Sequence, residues 1–345
     1  MNMNQAAIEA IQKVKARLGD ELILLAHHYQ RPELTALADK LGDSYELAKA
    51  ARDAKDARFI VFCGVRFMAE AAEVLRRDEQ KVFHPEATAG CPLADFADRA
   101  SVEAAWNRMS EVRGPEAIMP LVYMNSTAEL KAFVGKHGGA VCTSSNAGRA
   151  FEWAFRERQV VFFLPDEHLG RNTVAGMDIK PEEVVLWDPS SPEGGVEVDR
   201  LKKARVILWK GYCHVHTAFT IEDVAWARQK HPDARILVHP ECPQPVVQAV
   251  DGAGSTSYLV REVAEAAPGT TLIIGTEMHL VERLTAQYSD RQVIPLRRSL
   301  CYNMARIDLT NLRATMEALP EGPVVQLDEE LKADARLALE RMLSI

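Results

Sequence analysis

ELILLAHHYQ, residues 21–30, decides the fold. A short apolar run ends on polar side chains, the pattern of a strand buried on both faces with its carboxyl end available for chemistry. Two later stretches read the same way: AIMPLVYMNS (117–126) and ARILVHPEC (234–242). Further apolar runs (ARFIVFCG, QKVFHP, GAVCTS, QVVFFLPD, RVILWKG, TTLIIGT) alternate with amphipathic helix patterns such as SYELAKAARDAK, NAGRAFEWAFRER and TSYLVREVAEAA. Buried strands separated by helices predict an α/β fold with parallel sheets.

The order of elements repeats. The first unit carries AHHYQ, then FCGV, then FHPEATAGCP; the second VYMNS, CTSSNAG, FLPDEHLG and later GYCHVH; the third VHPEC, GAGSTS, IGTEMHL and later RRSLCYNM. Phe62 to His84 spans 22 residues, Cys142 to Leu164 spans 22, and Gly254 to Gly275 spans 21. The repeat predicts three related α/β units: 1–110 with an N-terminal helix, 111–216, and 217–305. EVRGPE and WDPSSPEGGVEVDR read as polar, turn-rich linkers. Residues 306–345 read as a helical tail packing on one unit.

The 345 residues include 41 basic and 49 acidic side chains, a net charge of −8, and 47% are hydrophobic. This is an ordinary globular composition, which excludes disordered and collagen-like classes. Net acidity argues against a nucleic-acid or membrane-surface binder, while a local basic pocket for an anion stays possible. No apolar run reaches the roughly 18 residues of a membrane span. The N-terminus reads as a polar amphipathic helix, not a signal peptide, so a cytoplasmic location is expected. Six cysteines there read as core residues, metal ligands or nucleophiles, not disulfides.

Cys63 and Cys142 end apolar strands and read as small buried hydrophobes. Cys91, Cys213 and Cys301 lie in loops, one per unit, and Cys242 breaks that register. One loop cysteine per unit suggests three thiolates converging on a pseudo-threefold axis. Three distant thiolates suit an iron–sulfur cluster better than a closed zinc site, which wants four ligands and pairs its cysteines as C-x₂₋₄-C. Spacing alone leaves a cluster, zinc and no metal all open. A four-iron cluster on three thiolates keeps one iron open as a Lewis acid.

His27 and Tyr29, Tyr123 and Asn125, and His239 and Glu241 occupy matched strand ends. Each pair is separated by one position, so in extended geometry both side chains point the same way. Ligands of parallel α/β sheets bind outside such carboxyl ends. GDSYELAK, CTSSNAG and GAGSTS place small polar residues at helix starts, where free N–H groups serve as anion sites and as ordinary caps. The G-x-G-x-x-G, G-x₄-G-K-[ST] and H-E-x-x-H patterns are absent. Arg297 and Arg298, just before Cys301, read as solvated surface, with help to a phosphate the alternative. Trp106, Trp153, Trp187, Trp209 and Trp226 read as packing.

Taken in order, AHHYQ, GDS, FCGVRFMAE, AGCPLAD, YMNS, CTSSNA, WKGYCHVH, HPEC and GSTS resemble the quinolinate synthase family over roughly residues 21–305. The resemblance implies three α/β/α units set as a triangle around a central [4Fe–4S] cluster. It implies a transferase of de novo NAD biosynthesis that condenses iminoaspartate with dihydroxyacetone phosphate to quinolinate, phosphate and water. Carried over by motif, the cluster ligands are Cys91, Cys213 and Cys301. Substrate contacts are His27, Ser44, Tyr123, Met124, Asn125, Ser144, His239, Pro240, Glu241 and Thr256. Catalytic candidates are Glu241, His239, His27, Tyr29 and His216. Transient contact with an iminoaspartate-producing enzyme is a further expectation.

Three positions depart from the family pattern. His28 stands where Asn is common and is expected to point away. Thr217 stands where an acidic residue is common. Cys301 lacks the C-x-x-C-x-x-C context of some members, so a redox switch of that kind is not available. The competing readings are a non-catalytic iron–sulfur sensor or carrier, which would not need the paired His, Tyr, Asn and Glu residues, and a zinc hydrolase.

Overall fold

The computed structural model describes residues 3–345. Its strands are β1 (Leu22–His27), β2 (Lys40–Gly42), β3 (Phe59–Cys63), β4 (Lys81–Phe83), β5 (Ile118–Tyr123), β6 (Ala140–Cys142), β7 (Val160–Leu164), β8 (Val184–Trp187), β9 (Val206–Trp209), β10 (Arg235–Val238), β11 (Gly252–Ala253), β12 (Thr271–Gly275) and β13 (Gln292–Pro295). They form three sheets, ordered β2-β1-β3-β4, β6-β5-β7-β9-β8 and β11-β10-β12-β13. The paired strands run parallel. The same order, second-first-third-fourth, recurs in every sheet, so the expected α/β architecture of three repeated sheets is present. In the second sheet β9 takes the fourth place and β8 is an added edge strand.

This order corrects the sequence register. In the first unit FCGV lies on β3, the third strand, whereas CTSSNAG and GAGSTS follow second strands. The equal spacings of 22, 22 and 21 residues therefore compare non-equivalent strands and coincide by chance. The true partner of CTSSNAG is GDS after β2. That strand has three residues and begins on an exposed lysine, so it carries no apolar run to read. The strand β8 falls beside the expected linker WDPSSPEGGVEVDR, whose Trp187 is its last residue.

By close packing of the chain, two compact units emerge: Met1–Cys91, Trp226–Leu237 and Thr256–Leu327 in one, Pro92–Ala225, Val238–Ser255 and Asp328–Ile345 in the other. The boundaries 1–110, 111–216 and 217–305 follow the three sheets and remain a proposal for the units of repetition. The tail from residue 306 does not stay on one unit. In the first compact unit the helix Leu309–Glu317 packs on the helix Met3–Leu18. Ala7, Ile11 and Val14, at helical spacing, turn inward there with Leu312 and Met316. In the second, the helix Glu329–Ser344 lies along the helix Ala128–Lys136 and β6. A Cβ at Gly135 would sit 1.9 Å from Asp334 O, so only glycine permits this approach.

Trp106, Trp187 and Trp209 are packed as expected, whereas Trp226 is half exposed, with Lys230 Nζ 4.8 Å from its ring centre. Arg298 is largely exposed, as the surface reading required.

Candidate active site

In each repeat the helix that follows the third strand is tied to the loop after the fourth by one backbone bond. Arg66 N donates to Ala89 O at 2.8 Å, Glu167 N to Gly211 O at 2.9 Å, and Met278 N to Ser299 O at 2.8 Å. The three acceptors lie two residues before Cys91, Cys213 and Cys301. Those three thiols are partly accessible, whereas Cys63, Cys142 and Cys242 are buried. Burial pushes the Cys63 thiol up to about 12 and raises Cys142 and Cys242 as well, which keeps them inert.

The residues at the first N-cap differ where the backbone bond does not. Val65, Asp166 and Glu277 hold equivalent places. Glu277 accepts from His279 N at 2.8 Å and from Cys301 N at 3.3 Å. Burial pushes its carboxyl up to about 8 against the opposing pull of the Cys301, His279 and Leu280 N–H groups. Asp166 accepts from Leu169 N at 2.7 Å, and its other oxygen is buried with no hydrogen-bond partner among the described residues. Burial, then the charge of Glu241, raises it well above the usual carboxylate range.

The second compact unit holds the denser constellation. After β10, residues 239–242 make a turn in which Cys242 N donates to His239 O at 3.0 Å. Glu241 is buried, and its carboxylate accepts a hydrogen bond from Tyr123 Oη on one oxygen and bonds His216 Nδ1 at 2.7 Å on the other. His216 and His239 stack with ring centres 4.4 Å apart, and His239 Nε2 is 3.2 Å from Ser144 Oγ. Burial alone would raise the Glu241 carboxyl, but His216 and His239 more than reverse this and hold it well below the carboxylate range. Cys213 Sγ, a ring nitrogen of His216 and a carboxylate oxygen of Glu241 all lie within 4.8 Å of one another, a donor set compatible with a metal.

Met124 is buried and Asn125 half-buried on the loop after β5. That loop is fixed by Met124 N donating to Cys142 O at 2.7 Å and by the buried Lys131, whose Nζ donates to Met124 O at 2.9 Å and to Ser126 O. Pro240 is half-buried, and its carbonyl accepts from Asn172 Nδ2. Thr217 Oγ1 donates to Cys213 O at 3.0 Å, so it serves the loop backbone where the resembled pattern has an acid.

In the first compact unit, Tyr29 N donates to His27 Nδ1 at 3.1 Å, leaving Nε2 to carry the proton of the neutral ring. The His27 and Tyr29 rings meet edge to face at 4.7 Å, and Tyr29 Oη bonds Thr276 Oγ1 at 2.7 Å. His28 turns to other partners, its Nδ1 accepting from Arg283 Nη2 at 3.0 Å. Burial first, then His27 and Arg283, push it down to about 2. Ser44 opens the helix Ser44–Asp53, capped by Asp43 with Glu46 bonding back to Asp43 N. Ser257 Oγ donates to Glu46 Oε2 at 2.8 Å, and buried Thr256 opens the helix Thr256–Glu265.

Reasoning from sequence missed Asp166, Asn172, Lys131 and Thr276. For Asp166 a signal existed: aligned on the third strands, LPDE and GTEM place acids at the same N-cap position. The others are lone residues on helices or strand ends without a repeated pattern.

A repeated parallel α/β scaffold with a buried carboxylate, phenol and imidazoles at its strand ends defines an enzyme of the α/β class acting on small molecules. A family model described as "Quinolinate synthetase A protein" matches residues 9–344. Similar proteins are the quinolinate synthases of Acidobacterium capsulatum (48% identity over 345 residues, 98% of this chain and 92% of the relative) and Corynebacterium glutamicum (47% over 340 residues, 97% and 86%). That of Geobacillus kaustophilus is 45% identical over 349 residues, covering 99% and 95%. The chain belongs to the quinolinate synthetase A family.

Proposed function

We propose that this chain condenses iminoaspartate with dihydroxyacetone phosphate to quinolinate, phosphate and two waters, as a quinolinate synthase of NAD biosynthesis. Family membership over nearly the whole chain supports the activity. We further assign a [4Fe–4S] cluster to Cys91, Cys213 and Cys301. The observation that carries this assignment is the thrice-repeated backbone bond, which sets each cysteine two residues beyond its anchoring carbonyl. The donor set fits such a group: three partly accessible thiols in one register, with no fourth cysteine in that register. When bound, the cluster supplies an open iron acting as a Lewis acid toward a substrate oxygen.

The chain's own residues do the rest. Ser44 and Thr256, at helix starts, and Ser144, in the turn before the helix Ala147–Glu157, present hydroxyls to the carboxylates and phosphate. Tyr123, Met124, Asn125, His27, His239 and Pro240 complete the substrate contacts. Carbon–carbon bond formation, ring closure and two dehydrations need repeated proton transfers. Glu241, ionised and bonded to both Tyr123 and His216, is placed to accept and return protons through either neighbour. Tyr29, tied to Thr276, is a neutral donor. A sensor or carrier would have no use for this buried polar network. Among the described residues no helix is long and apolar enough to cross a membrane. A cytoplasmic location, and transient delivery of unstable iminoaspartate by the enzyme that makes it, belong to the same proposal.

The test is an anaerobic assay for quinolinate from the two substrates, with iron and sulfide analysis giving about four of each per chain. Cys91→Ser, Cys213→Ser and Cys301→Ser should each lose the cluster, while Cys63→Ser, Cys142→Ser and Cys242→Ser keep it. Cluster loss in the Cys242 variant with retention in the Cys91 variant would overturn the assignment.

A further inference from the structure

The helix Glu167–Val174 follows β7 and begins at the N-cap Asp166. In its last turn it carries Asn172. The side-chain amide nitrogen of Asn172 donates to Pro240 O at 2.8 Å and to Cys242 O at 2.8 Å. Both of its protons are therefore spent on the two carbonyls that bracket Glu241. The amide orientation is fixed by chemistry, because the flipped form would set its oxygen against two carbonyl oxygens. Asn172 Oδ1 is buried and accepts no hydrogen bond among the described residues.

Glu241 must reach Tyr123 and His216 with different oxygens of one carboxylate. Those two partners come from different segments, the end of β5 and the loop after β9. Small rotations of the peptide planes on either side of Glu241 would swing the carboxylate off one partner or the other. The turn's own bond, from Cys242 N to His239 O, closes it from within but does not anchor it to the scaffold. The pair of bonds from Asn172 ties the backbone of the turn to the helix Glu167–Val174.

We propose that Asn172 is a positioning residue for the reaction: its amide clamps the backbone on both sides of Glu241 and thereby aims the carboxylate at Tyr123 and His216 together. This rests on the reading of Glu241 as the proton-transfer group. Of the proposed substrate contacts, His239 and Pro240 lie on the clamped turn, whereas Asn125 and Ser144 do not, so turnover should suffer far more than binding.

The experiment uses the anaerobically purified holoenzyme and compares Asn172→Leu, Asn172→Ser, Glu241→Gln and, as a control on the same helix, Arg171→Ala. Steady-state kcat and KM, affinity for quinolinate, iron content and melting temperature are measured for each. The expected result for Asn172→Leu is a kcat lowered by about 10- to 50-fold, the range of a misplaced acid–base group. Its KM, quinolinate affinity and iron content should stay within about twofold of the parent, as for loss of an interaction felt only in the transition state. Unchanged kcat in Asn172→Leu overturns the proposal, as does a joint fall of kcat, quinolinate affinity and iron content, which would mark a general structural role. If Asn172→Leu does not fold, Asn172→Ser decides by the same criteria. Glu241→Gln separates the two claims. An active Glu241→Gln sinks the reading of Glu241, whereas an inactive one beside a fully active Asn172→Leu sinks the clamp alone.

Discussion

The turn after β1 and the turn after β10 are the same device with different ends. In both, a histidine closes the strand, and its Nδ1 receives the backbone N–H two residues on: Tyr29 N to His27 at 3.1 Å, Glu241 N to His239 at 3.4 Å. The side chain delivered by that turn then diverges. Tyr29 ends in a phenol resting on a threonine hydroxyl, a neutral arrangement. Glu241 ends in a carboxylate between a phenol and an imidazole, with a second histidine nearby, a charged arrangement held ionised. Repetition supplied the geometry twice; under the proposed function, the substituted position would divide the labour into a donor and a base.

That contrast can be broken by experiment, and the largest effect is expected at the charged end. Glu241→Gln keeps the shape and removes the base; kcat should fall about 10³-fold with the cluster retained. Full activity would reduce the buried carboxylate to a structural ion pair. Tyr123→Phe removes one of its two partners and should lower kcat by roughly tenfold, with the remaining His216 bond holding the carboxylate. A loss as large as that of Glu241→Gln would show that Tyr123 itself moves the proton. At the neutral end, Thr276→Val strips only the hydroxyl behind Tyr29, and a drop of about three- to fivefold is expected from loss of one neutral bond. If the Thr276 and Glu241 variants were equally impaired, the supposed division between the two turns would not hold.

The smallest effect concerns His28, which sits in the first turn and turns away from it. Its pKa is about 2 in the fold, against an ordinary value of 6.5. The unfolded chain therefore binds a proton below pH 6.5 that the folded chain refuses, so this residue's contribution to stability is complete above that value and is lost as pH falls toward 2. The slope is at most about 1.4 kcal/mol per pH unit. His28→Asn should leave kcat within about twofold and flatten the decline of the urea midpoint between pH 6.5 and 5. An unaltered decline would place the acid sensitivity elsewhere.

Much of this was legible. The strands β1, β5 and β10 announced themselves because each is an apolar run ending on a paired polar motif, and the loop cysteines because one follows in each unit. What escaped notice was short or solitary. The strands β2 and β11 have three and two residues and little apolar surface, so the register slipped by one strand in the first unit. Asn172 and Thr276 act on residues 68 and 247 positions away, and no periodicity links such partners. The position of Asp166 could have been found, but only after the strands were aligned correctly.

The seat of the last helix has a consequence for biosynthesis. Residues 329–344 back the helix Ala128–Lys136, and Asn146 reaches Met342 O in the same layer. A growing chain emerging from the ribosome thus leaves the outer face of the helix Ala128–Lys136 uncovered until residues 329–344 have been made. Consolidation of that region waits on a segment about 190 residues further along the chain, and a chain terminated before Glu329 should bind a hydrophobic dye and require chaperone protection that one reaching residue 345 does not.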